Sequence, residues 1–173
     1  MKERPLKFWC FNWSTHHYLT HPWTFIADIF RNIKNAFHRT RYGYGYIDLW
    51  NTDHYLLELT SNMLDVLADT SHTWPGEGTD WPNPESWAAE LHVIAHLMRL
   101  LNDDDEDYST YLNGTALEPI HHLPCINKYV LTDSEEADIE TADNKYIRQA
   151  IITKALRAKV FARMAEIYDM LWD

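Results

Sequence analysis

Basic side chains are nearly missing from the middle of this chain. Between Tyr42 and Asn144 there are 21 acids and only two bases, Arg99 and Lys128. A stretch this acidic repels phosphate, which excludes direct nucleic-acid binding through it. Glycine and proline are also scarce, five and seven in 173 residues; a β-sandwich with a turn every few residues needs more. Two cysteines, Cys10 and Cys125, make no disulfide framework and suit a reducing cytoplasm. No apolar run approaches the ~20 residues of a bilayer span. Met1-Lys2-Glu3-Arg4-Pro5 lacks the apolar stretch of a signal peptide. The expectation is an intracellular protein with no membrane attachment.

Apolar residues make up 46% and aromatics 14%, with eight tryptophans and ten tyrosines. That is enough for a packed core. The flanks of the acidic middle carry 13 bases and five acids, and the whole chain comes to -11. Two readings follow. Acidic middle and basic ends neutralise one another, within the fold or between subunits, or the acidic stretch meets a protein partner with a basic surface.

Periodicity predicts an all-α, single-domain bundle of four or five helices, residues 23–173, behind an aromatic-rich N-terminal arm, residues 1–22. The arm holds Phe8, Trp9, Phe11 and Trp13 and should pack on the body or on a neighbour. A first helix spans 23–39, with Phe25, Ile26, Ile29, Phe30, Ile33, Ala36 and Phe37 on one face. Asp28, Arg31, Lys34, Asn35 and His38 take the other. Gly43 and Gly45 then break it. A second helix, 48–70, has Asp48 as its cap. A third, 84–102, starts on Asn83 and Pro84. Residues 103–132 are irregular. Helix resumes at 133 with a capping-box spacing in Asp133-Ser134-Glu135-Glu136, and a break is expected near Asp143–Asn144. Residues 146–172, apolar almost all round, should form a central or oligomerising helix. The chain is expected to be a homo-oligomer.

Two acids fall on apolar helix faces: Asp53 among Leu57, Leu64 and Leu67, and Glu90 among Trp87, Ile94, Leu97 and Leu101. A buried carboxylate must be paired or hydrogen-bonded. The favoured reading makes both of them buried polar anchors, held by Trp, Tyr or Arg side chains; the alternative is an acid/base or metal pair. His92 and His96 share a helix face at i, i+4, and His54 and Glu58 repeat that spacing one helix earlier. These four are the candidate ligands of a divalent metal ion, the alternative to no cofactor. The glutamate of a zincin helix is missing between His92 and His96. Asp103, Asp105 and Asp107 imitate an EF-hand start, but Tyr108 and Gly114 occupy the positions of its glycine and glutamate. Interface candidates are Trp74, Trp81 and the run Asp103, Asp104, Asp105, Glu106 and Asp107.

Several short pieces resemble an uncharacterised family from tailed bacteriophages. They are Tyr46-Ile47-Asp48-Leu49-Trp50-Asn51-Thr52-Asp53-His54-Tyr55-Leu56, then His72-Thr73-Trp74-Pro75 with Gly76, Glu85-Ser86-Trp87, and the ending Leu171-Trp172-Asp173. In that family a D-x-W-x-x-D helix, a turn ending in proline, an E-x-W helix and a terminal L-W-D follow in the same order; Asp53 matches the second Asp of the helix motif. The resemblance implies phage origin and the host cytoplasm, with the virion as alternative, and no particular activity. The expected function is therefore non-enzymatic: an accessory protein that binds a host or defence protein through an acidic, aromatic-rich surface. The alternatives are a structural virion component, a metal-dependent nucleotide hydrolase, and a nucleotide-binding sponge.

Overall fold

The computed structural model describes residues 22–45, 52–70, 74–76, 80–102 and 108–171. Among these the protein is all-α, with no strand. Helices α1 (Pro22–Tyr42), α2 (Thr52–Thr70) and α3 (Pro84–Asn102) are followed by a single turn, α4 (Ser109–Leu112). Two 3-10 turns, Thr115–Ile120 and Pro124–Lys128, lead to α5 (Asp133–Thr141) and α6 (Lys145–Ile167), and a third, Tyr168–Leu171, follows. No described helix is long and apolar enough to cross a membrane. The contacts gather into two compact units, Met1–Leu56 and Leu57–Asp173. The division falls inside α2. Arm residues 1–21, the Asp48 cap and the acidic run Asp103–Asp107 lie outside the described residues.

In the second unit the core is built around α3. Asn83 caps it, its side-chain oxygen accepting from the Ser86 backbone N–H at 2.8 Å. Eleven of its 19 residues are buried, on nearly every side, so α3 takes the central place expected of residues 146–172. Helix α6 buries only Ile152, Ala155, Leu156, Val160, Arg163 and Ile167, one face of the helix. Leu117, Ile120, Leu123, Cys125 and Tyr129 from the 3-10 segment complete the core. The expected break is found: α5 ends at Thr141, and Asn144 restarts the chain as cap of α6. The capping box lies one residue earlier than its sequence signature suggests. Thr132, not Asp133, is the cap; its N–H donates to Glu135 Oε2 at 2.8 Å, and its hydroxyl accepts from the Glu135 N–H.

In the first unit, α1 is turned the other way from a core helix. Asp28, Asn32 and Asn35 are buried, while Trp23, Ile26, Phe30, Ile33 and Phe37 are exposed. The helix ends as its glycine predicts: Gly43 sits at φ +80°, and its N–H donates to the Arg39 carbonyl at 2.9 Å.

Candidate functional site

The most elaborate polar arrangement lies inside the second unit, around Glu90. Its position on α3 follows from the helix wheel, and the side chain is 0% exposed. Oε1 accepts from the Tyr129 hydroxyl at 2.6 Å and from Arg163 Nε at 2.6 Å. Oε2 accepts from Arg163 Nη2 at 3.1 Å and from the Trp81 indole N–H. Four donors therefore occupy the two oxygens, and the guanidinium neutralises the charge.

Arg163, only 3% exposed, connects this interior group to an outer ring of charge. Its Nη1 donates to Glu166 Oε2 at 2.7 Å, and Nη2 lies 2.8 Å from Asp80 Oδ2. Lys128 Nζ bridges the same two carboxylates, 2.6 Å from Glu166 and 3.4 Å from Asp80. The guanidinium also sits 5.0 Å above the Trp81 ring, which meets Trp87 edge-on at 4.5 Å.

The electrostatics follow from these partners. Burial alone would push the Asp80 carboxyl up, but the hydrogen bond and charge of Arg163, with help from Lys128, hold it below the usual range. Glu166 is held low by its bonds to Lys128 and Arg163. Burial pushes the Tyr129 hydroxyl upward, and the Glu90 carboxylate adds to this, so the phenol stays a donor. The Cys125 thiol is pushed up to about 12 by burial and by Glu90, the opposite of an activated nucleophile. Chemically this arrangement fixes helices and turns in register. It offers neither a poised base nor an activated thiol.

A second network joins α2 to α3. His92 has Nδ1 2.8 Å from Asp65 Oδ1 and Nε2 3.1 Å from Asp69 Oδ1. Arg99 donates to the other Asp65 oxygen and lies 3.4 Å from Asn62 Oδ1. The third feature is an open cavity of about 660 Å³ between the end of α3 and α6, lined by Tyr108, Tyr146, Gln149, Thr153, Lys154 and Arg157 among others. Thr153 Oγ1 and the Tyr108 hydroxyl meet at 3.1 Å in its wall.

The chain matches no known protein family, no curated protein and no solved structure. Its chemistry is therefore read from these residues alone.

The nominated residues fare differently. Glu90 is buried, with Trp81, Tyr129 and Arg163 as its partners. Asp53 is not buried: it is exposed, in the first described turn of α2. Trp81 is not an exposed interface anchor. It is 2% exposed, drawn into the core by the Glu90 carboxylate and the Trp87 ring. Trp74 is half-buried against the same core. His92 places both ring nitrogens on aspartates, His96 is exposed, and His54 and Glu58 are half-buried. No group of three or more His, Cys, Asp or Glu able to hold a metal is found among the described residues.

Sequence reasoning missed Arg163. A usable signal was present: Arg163 falls on the wheel among Leu156, Val160 and Ile167, an inward cation to match the inward Glu90. Asp80 and Lys128 left no such trace, because neither lies on a helix with a readable period.

Proposed function

We propose that this is a non-enzymatic phage accessory protein that works by binding a protein with a basic surface. The observation that carries the reading is α5. It has five acids, Asp133, Glu135, Glu136, Asp138 and Glu140, no base and no buried residue. Only Glu135 turns inward, to Thr132 and to Lys159 at 2.9 Å. Asp133, Glu136, Asp138 and Glu140 are exposed. Holding four carboxylates together at the surface costs self-repulsion that a cationic partner would relieve.

The test begins with a pull-down from infected host cells and proceeds to kinetics on the recovered complex. Association should slow steeply as salt rises, and should slow again when Asp133, Glu136, Asp138 and Glu140 are neutralised to Asn and Gln. A complex indifferent to both changes would refute the reading.

The cavity beside α6 supports a second reading, a nucleotide-binding sponge. Its volume suits a small ligand. Lys154 and Arg157 would meet phosphate and Tyr146 a base. A thermal-shift screen with mono- and cyclic nucleotides, repeated on Lys154→Ala and Arg157→Ala, decides it. Absence of any shift removes this reading.

A further inference from the structure

The exposed apolar residues of α1 are not scattered. Trp23, Ile26, Phe30, Ile33 and Phe37 stand three, four, three and four residues apart, and Thr40 continues the series. That is the a/d spacing of a left-handed helical seam. The five apolar members are 79, 44, 68, 59 and 60% exposed, whereas Asp28, Asn32 and Asn35 face inward. A helix that buries its amides and presents a heptad stripe is built to be covered.

We infer that the stripe Trp23–Ile26–Phe30–Ile33–Phe37 is a self-association seam, occupied by α1 of a second copy of this chain running antiparallel. This inference is independent of the acidic binding surface proposed above. Three arguments select the occupant. The first is area. With ~150–250 Å² for each fully covered aromatic, the stripe offers roughly 600 Å² per copy. Two copies would bury about 1,200 Å², at the threshold of a specific interface. The second is shape. Antiparallel pairing sets each a position against a d position, so Phe30 meets Ile33 of the second copy, Ile26 meets Phe37, and Trp23 meets Thr40. Large and small alternate in every layer, and the contact is isologous and closes on itself. The third is charge. Arg39 and Arg41 both lie in the last turn of α1. Parallel pairing would bring four guanidiniums to one end of the interface; antiparallel pairing separates them and opposes the helix dipoles.

The experiment is the mass of the full chain in solution, by light scattering across a micromolar range. Twice the 20.5 kDa chain mass is expected. Ile33→Glu, with helix content checked by circular dichroism, should weaken the dimer by at least ~30-fold. Phe30→Ser and Ile33→Ser, milder changes at solvated positions, should weaken it in the same direction, and Lys154→Ala on α6 should leave it unchanged. A single-chain mass at all concentrations overturns the inference. So does a dimer that all three seam variants leave intact, because it uses another face. A single-chain mass together with binding to phosphatidylglycerol vesicles reassigns the stripe to a lipid surface. For orientation, mixing Phe30→Cys with Ile33→Cys under oxidation should yield the mixed disulfide; preferential homodisulfides overturn the antiparallel arrangement.

Discussion

Helices α1 and α3 are of similar length, 21 and 19 residues, and treat their side chains in opposite ways. In α3 the apolar residues are inside, and the single buried acid, Glu90, has a cation and two neutral donors around it. In α1 the polar residues Asp28, Asn32 and Asn35 are inside and the rings are outside. The contrast separates two things that helical periodicity runs together. A 3.6-residue pattern shows that a helix has two faces, but burial is decided by what each face meets.

The comparison breaks first at Arg163. Replacing it with Met strands the Glu90 carboxylate in the core, and about 3–5 kcal/mol of stability should be lost, measured by urea unfolding. Changing Glu90 to Met as well should restore much of that, since an apolar pair of like volume needs no solvation. Next in size is Ile94→Ala on α3, expected to cost ~2–5 kcal/mol, against Ile33→Ser on α1, expected to change the stability of the single chain by less than ~0.5 kcal/mol. Equal costs would erase the distinction between the two helices. Thr132→Ala removes the cap of α5 and should cost about 1 kcal/mol.

Two chemical tests are finer. Asp80 and Glu166 are held below their ordinary values. Their contribution is therefore present at neutral pH and lost as pH falls through and below the ordinary carboxylate range. Asp80→Asn should flatten that part of the stability profile, and an unchanged acid limb would contradict the ring of charge around Arg163. Cys125, fully buried with its thiol pushed up to about 12, should resist alkylation at pH 8 until denaturant is added. Rapid labelling of Cys125 in the native protein would show that the core around Glu90 opens readily.

Much of this was legible beforehand. The bounds of α3, the break before Lys145 and the inward aim of Glu90 are local matters, set by caps, proline and spacing within a few turns. Asp53 misled because the wheel assigns a residue to a face without saying what that face meets, and Asp53 meets solvent. Trp81 misled because a tryptophan in a proline-rich linker looks like a surface residue until its indole finds a carboxylate nine positions away. The candidate site was half visible: the acid could be found, its partners could not.

What the amino-acid order settles alone is helical identity, helix ends and the distribution of charge, since these depend on interactions within about four residues and on simple composition. Only the tertiary structure decides that Arg163 answers Glu90 across 73 positions, that α3 and not α6 is central, and that α1 keeps its rings outside. The reason is physical. Burial and pairing are properties of surfaces brought together, and a local pattern carries no record of which surface arrives.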